Sequence, residues 1–184
     1  HTHGVPDEFP EAVIEDANKA KAAPAPREDL TRIPLITIDP EDARDHDDAV
    51  YAEPDGHGGW RVIVAIADVS AYVHTGTILD KEAYRRGNST YFPDRVSPML
   101  PEHLSADVCS LKEGELRETF AVEMFFNSSG VKTKHRFIRG KMRSAAKLSY
   151  QEAQAAIDGN PSDKAGPLLD RVLRPLWAAY DVLA

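Results

Sequence analysis

The chain has 184 residues, of which 42% are hydrophobic and 28% charged, a composition ordinary for one soluble globular domain. No apolar run approaches the roughly 18 residues of a membrane-spanning helix, and the first residues lack the basic and apolar segments of a signal peptide. The net charge of −8 argues against a protein that grips nucleic acid through a general basic surface. It is compatible with a nuclease, because a metal site needs acids.

The single cysteine, Cys109, bears on the cellular setting. One cysteine excludes an internal disulfide and a cysteine-rich zinc site. Its neighbours in the segment 104–111 are largely apolar, so we predict a buried small residue rather than a nucleophile. These features indicate a reduced, cytoplasmic protein.

The first third of the chain is predicted to hold a helix, a connector and the first strands. The pattern predicts a helix over residues 7–22, followed by a stiff proline-rich connector over 22–27. From Ile33 onward the pattern is strand-like. Two strands, 49–53 and 60–69, flank a glycine-rich turn and predict a β-hairpin.

The rest of the chain alternates predicted helices with a second hairpin. The predicted elements are short helices over 78–86 and 101–110, a hairpin of 120–126 with 131–139, a helix over 149–157 and a final helix from about residue 167. Ser149 and Glu152 form a capping box, and Pro175 should kink the last helix or divide it in two. The predicted class is α+β, with a mixed, mainly antiparallel sheet and flanking helices.

The most unusual segment is the acidic run 39–48, in which six of ten residues are Asp or Glu and only Arg44 opposes them. So many carboxylates would repel one another unless a cation neutralises them, and magnesium, manganese and calcium prefer carboxylate oxygen. A solvated surface loop is the alternative. An EF-hand is excluded, because Ala49 and Val50 stand where that loop needs an oxygen ligand and a glycine.

Several collinear segments resemble the RNB domain, the catalytic domain of the ribonuclease II and ribonuclease R family, with ribonuclease R the more similar branch. They are 37–50, 64–73, 88–93, 98–101 and 104–111, and 6–10 resembles the segment just upstream in ribonuclease R. The resemblance implies a partial RNB domain, its amino-terminal half, over 33–184. Residues 1–32 would form an upstream helix and linker.

The resemblance also implies a function and a site. It implies magnesium-dependent 3′→5′ hydrolysis of single-stranded RNA to nucleoside 5′-monophosphates, with manganese as a possible substitute. The family's catalytic aspartates fall on Asp39, Asp45, Asp47 and Asp48. We expect Asp39 and Asp48 to bind the metal directly and Asp45 and Asp47 to act on metal-bound water. Tyr91 matches the aromatic residue that stacks on the 3′-terminal nucleotides.

Other polar residues near the run receive weaker assignments. Glu41 and Asp42 do not match catalytic positions and are expected to be solvated. His46 is predicted to be a spacer rather than a ligand. For Asp68, a place near the site and a role as a turn cap stay equally open.

The family's complete domain is about twice as long, and its later half supplies a catalytic arginine. The absence of an initiator methionine and of a stop signal after the final helix predicts a piece of a longer protein. In that protein the rest of the RNB domain, cold-shock domains and an S1 domain would be partners, and the fragment alone would be inactive. The alternative functions are a non-catalytic RNA-binding or scaffold module that kept the fold and an acidic metal-binding structural protein.

Overall fold

A computed structural model describes residue 6 and residues 8–184, and its centre is a seven-stranded mixed sheet. The strands are β1 (Glu28–Asp29), β2 (Ile36–Asp39), β3 (Asp48–Pro54), β4 (Trp60–Ala67), β5 (Thr90–Tyr91), β6 (Val96–Ser97), β7 (Leu116–Phe126), β8 (Lys132–Arg143) and β9 (Ala146–Ser149). The sheet order is β1-β8-β7-β4-β3-β2-β9, and β5 pairs with β6 separately. The two outermost pairs are parallel and the inner pairs antiparallel, which confirms the predicted class.

Both predicted hairpins are present, as β3–β4 and β7–β8. In the first turn, one carboxylate oxygen of Asp55 accepts hydrogen bonds from the backbone N–H groups of His57 and Gly59. Gly59 is required there, because a Cβ atom would collide with the carbonyl oxygen of Phe126. Turn chemistry readable in the sequence therefore sets the register of the central strands.

Four α-helices flank the sheet: α1 (Glu11–Lys19), α2 (Ile78–Arg86), α3 (Tyr150–Ile157) and α4 (Arg174–Leu183). α1 is shorter than the predicted 7–22, because the chain turns extended at Ala20 and leads into the proline-rich connector. Asp7, where the predicted helix begins, lies outside the described residues. α2 matches its prediction, and α3 opens with the predicted Ser149–Glu152 capping box.

Two helical segments differ from regular α-helix. The predicted helix over 101–110 is a π-helical turn, His103–Val108, in which the Cys109 N–H donates to the Leu104 carbonyl. The final helix is divided, as predicted, into Gly166–Leu168 (3-10), Leu169–Leu173 (π) and α4. Pro175 lies in the first turn of α4, where its missing N–H needs no partner.

The core lies mainly on one face of the sheet. Ala49, Ile63 and Ala65 are fully buried there, in a cluster shared with Val13 of α1 and Leu79 of α2. α4 packs on the other face, where Ala179 meets Ala52 and Val62. Part of that second face stays open, and Ile66, Phe120 and Phe137 are exposed on it. In the described residues, no helix has both the length and the apolar character needed to cross a membrane.

Candidate active site

The acidic run forms the connection between two neighbouring strands. Asp39 is the last residue of β2, and Asp48 is the first residue of β3. Glu41 and Asp42 are exposed in this loop, in agreement with their predicted solvation. The loop thus carries the four predicted catalytic aspartates at or between the ends of two paired strands.

A distant segment holds the loop at His46. The His46 N–H donates to Ser110 Oγ (3.1 Å), and the His46 carbonyl accepts from the Leu111 N–H (2.8 Å). Both partners directly follow the π-helical turn and Cys109, which is buried as predicted. The position of the acidic loop therefore depends on residues more than sixty positions later in the chain.

His46 is a buried partner of Asp39 and more than a spacer between acids. The Nδ1 atom of His46 lies 2.8 Å from Asp39 Oδ2, and His46 is only 4% exposed. Sequence reasoning missed this pair. The one signal available was a basic side chain inside an acidic run, and its direction was invisible without the fold.

The remaining aspartates form an acidic surface without basic partners. Burial, followed by the charges of Asp45, Asp48 and Asp39, raises the pKa of the Asp47 carboxyl, although part of this side chain reaches solvent. Burial and the charge of Asp39 likewise raise the pKa of Asp48. None of the ion pairs formed by the described residues includes Asp45, Asp47 or Asp48. The local negative charge of these three aspartates is therefore not balanced by an ion pair within the described residues.

The carboxylates are near one another without forming a finished metal cage. Within residues 6 and 8–184, no group of three or more His, Cys, Asp or Glu side chains is arranged to hold a metal ion. The donor chemistry nevertheless suits a hard divalent cation, because every side chain in question offers carboxylate oxygen. The donor set therefore suits magnesium or manganese by ligand type.

Tyr91 lies beside this acidic surface. It belongs to the short β5–β6 ribbon, and 67% of the residue is exposed. Its hydroxyl group donates a hydrogen bond of 3.3 Å to Asp45 Oδ2. A packed core position for this tyrosine is therefore excluded, and the ring stands next to the predicted catalytic residues.

Asp68 has a structural role beside the acidic loop, since the N–H of the preceding residue, Ala67, donates to the Asp47 carbonyl. Its buried carboxylate forms ion pairs with Arg27 (2.9 Å) and Arg139 (3.4 Å) and accepts from Ser70 Oγ. Burial alone would raise the pKa of Asp68, but the hydrogen bonds from Ser70 and Arg27 and the positive charges keep it below its ordinary value. It also precedes the 3-10 turn Val69–Ala71, and its backbone carbonyl accepts from the Ala71 N–H. Asp68 thus ties the connector to the sheet.

An apolar groove of about 550 Å³ begins at Asp48. It runs between the sheet and the helices α3 and α4, and its walls include Ile38, Val50, Trp177 and Tyr180. Tyr150 and Tyr180 are exposed beside it. An acidic group thus stands at the rim of an open hydrophobic surface.

Comparison with known proteins extends the geometric evidence. The family model of the RNB domain matches residues 27–183. Ribonuclease R of Vibrio parahaemolyticus is 44% identical over 189 aligned residues, which cover 99% of this chain and 22% of the relative. Ribonuclease R of Escherichia coli is also 44% identical, with 99% and 23% covered. The chain thus spans less than a quarter of the length of these relatives.

Solved structures give the same result. Mycoplasma genitalium RNase R in complex with double-stranded RNA superposes with a TM-score of 0.90 at 28% identity, over 97% of this chain and 32% of that one. Yeast Ssd1, a pseudonuclease, reaches 0.71 at 16% identity over 89% of this chain and 20% of its own, a likeness of fold alone. The sequence and structural matches together show that this chain belongs to the RNB domain family.

Proposed function

We propose that the chain is part of a hydrolytic 3′→5′ exoribonuclease that degrades single-stranded RNA to nucleoside 5′-monophosphates with magnesium. The observation that carries this proposal is the placement of Asp39, Asp45, Asp47 and Asp48 on one loop, beside the exposed ring of Tyr91. The similarity to proteins named Ribonuclease R, one of them solved with RNA, supports RNA as the substrate.

The four aspartates would have two roles, cation binding and proton transfer. Asp39 and Asp48, at the two strand ends, would hold the metal, and Asp45 and Asp47 would orient the attacking water. A bound divalent cation would neutralise phosphate charge and lower the pKa of that water. Asp47 suits the proton-accepting role best, because burial and the neighbouring carboxylates raise its pKa and so increase its basicity.

Tyr91 would hold the 3′ end of the RNA. An exposed aromatic ring offers its face to any base, which suits an enzyme indifferent to sequence. The hydrogen bond from its hydroxyl group to Asp45 links this ring to the catalytic loop. Binding and cleavage would therefore be adjacent.

The rest of a complete RNB domain is the partner that best explains the open apolar surface. Exposed Ile66 and Phe120 lie in register with Asp48 across the sheet, and the groove beside α4 starts at the same aspartate. The relatives supply several hundred further residues of chain that could cover such a surface. We expect the full-length protein to bury it, to lie in the cytoplasm, and to be far more active than residues 1–184 alone.

The test compares two aspartates of the same loop in the full-length protein. Asp47→Asn should slow the shortening of a 5′-labelled single-stranded RNA by roughly 10²–10⁴-fold while RNA binding persists. Asp42→Asn, which removes the same charge from an exposed position, should leave the rate near that of the unchanged enzyme. Equal hydrolysis rates for all three proteins would contradict the role of Asp47. RNA binding without hydrolysis in each would favour the alternative of a non-catalytic RNA-binding or scaffold module.

A further inference from the structure

We infer that His46 is a positioning residue, which orients the carboxylate of Asp39 toward the cation. The inference rests on the proposed function in one respect, namely that Asp39 is a metal ligand. It adds a residue to the site that the four aspartates and Tyr91 leave out.

The contact between the two side chains is short and shielded from water. His46 Nδ1 lies 2.8 Å from Asp39 Oδ2, and both residues are buried. In the tautomer with the hydrogen on Nδ1, the imidazole donates to the carboxylate of Asp39. The bond uses Oδ2 and leaves the second oxygen of Asp39 for another partner.

The backbone of His46 is itself held in place by a distant segment. Ser110 Oγ accepts from the His46 N–H, and the Leu111 N–H donates to the His46 carbonyl. These two bonds fix both polar atoms of the His46 peptide backbone on the same short segment. A fixed backbone and a buried side chain limit the positions that the imidazole can take, which would reduce the cost of ordering Asp39 when a cation binds.

A positioning role and a purely structural contact predict different losses when His46 is replaced. In the described residues, Asp39 is the one aspartate of the four that has a basic side chain in hydrogen-bond reach. A metal ligand whose orientation is set by a second group typically loses about 10–100-fold in metal affinity when that group is removed. A histidine needed only to fill space would instead matter for folding.

The experiment replaces the donor in two ways. His46→Leu removes the N–H group, whereas Asn in His46→Asn can place its amide N–H near the position of Nδ1. Cation affinity is measured in residues 1–184, from the electron paramagnetic resonance signal of free Mn²⁺. The values of kcat and KM for single-stranded RNA are measured in the full-length protein. His57→Leu, at an exposed turn, is the matched control, and thermal melting monitors folding.

We expect His46→Leu to weaken Mn²⁺ binding by about 10-fold or more and to lower kcat with little change in KM. His46→Asn should recover most of the Mn²⁺ affinity and most of kcat. Equal losses in the two variants, or no loss in His46→Leu while Asp39→Asn abolishes Mn²⁺ binding, would overturn the positioning role alone. If the unchanged protein and Asp39→Asn give identical Mn²⁺ titrations, the metal assignment of Asp39 and the role of His46 both fail.

Discussion

The hydroxyl group of Tyr91 donates a hydrogen bond to Asp45 Oδ2 across 46 positions of sequence, at 3.3 Å. Burial and the nearby charge of Asp45 raise the pKa of this phenol, so Tyr91 stays protonated and able to donate at neutral pH. The ring itself remains largely exposed. One side chain thus joins the surface proposed to bind RNA to the loop proposed to cut it.

Substitution of Tyr91 should separate stacking from hydrogen bonding. In the full-length protein, Tyr91→Ala should lengthen the final product while long RNA is still shortened. The reason is that a base–aromatic stack is worth about 1–3 kcal/mol and matters most once few other contacts remain. Tyr91→Phe keeps the ring and should give nearly the original product. Denaturing gels that resolve single nucleotides provide the measurement, and an unchanged product in Tyr91→Ala would rule out the stacking role.

Removal of the two proposed direct ligands should abolish cation binding in residues 1–184. The double variant Asp39→Asn, Asp48→Asn should lose the weak heat of magnesium or manganese binding in calorimetric titration, because two carboxylate donors are gone. The control is Glu41→Gln, Asp42→Asn, which removes the same charge from exposed positions of the same loop. If both double variants titrate alike, general charge rather than a defined site attracts the cation.

The thiol of Cys109 should be unreactive in the folded protein. It is buried, and this burial together with the charge of Asp47 raises the pKa of the thiol to about 12. Because only the thiolate reacts, labelling by a disulfide reagent at pH 8 should be at least about 100-fold slower than in denaturant. Rapid labelling of the native protein, followed by absorbance, would show that the π-helical segment opens readily.

Glu82 should make stability depend on pH. Hydrogen bonds from Arg85 and then Arg86, opposed by burial, lower the pKa of this carboxyl from 4.5 to about 2. Its contribution to stability is therefore fully present above about pH 4.5 and is lost as the pH falls towards 2. Glu82→Gln should cost about 1–3 kcal/mol in urea unfolding at pH 7, because it also weakens the pairing of the buried Arg86.

A control and a pH series decide whether that loss comes from the Glu82 ion pair. Glu15→Gln breaks an exposed pair with Lys19 and should change stability by less than about 1 kcal/mol. The difference between Glu82→Gln and the unchanged protein should shrink steadily below pH 4.5. A difference independent of pH would point to lost packing instead.

Local patterns were readable from the sequence where neighbours within a few positions decide the structure. The Ser149–Glu152 capping box starts α3 because each group bonds the backbone three residues away. The glycine-rich turn sets the β3–β4 hairpin for a similar reason. Pro175 lies in the first turn of α4, where the N–H group that it lacks has no helical partner.

Two predicted helices are present but differ from the prediction in type or bounds, for reasons of context. The segment 101–110 has helical periodicity, but its backbone takes the wider π-helical path, ending just before Ser110 and Leu111 bond to the acidic loop. The first helix ends at Lys19, three residues before the sequence pattern does. Helix propensity predicts the type and ends of a helix poorly when tertiary contacts compete with it.

By itself, the sequence determined the hairpins, the capped helix and the likeness to the RNB family, because these follow from residue type and short-range spacing. The four catalytic aspartates remain a prediction that the resemblance implies. Only the tertiary structure decided that His46 contacts Asp39, that Tyr91 meets Asp45, and that Asp68 binds Arg27 and Arg139. Side-chain direction on a loop depends on what packs against it. Here Ser110 and Leu111, brought near by folding, bond both polar backbone atoms of His46 and so fix the loop at that residue.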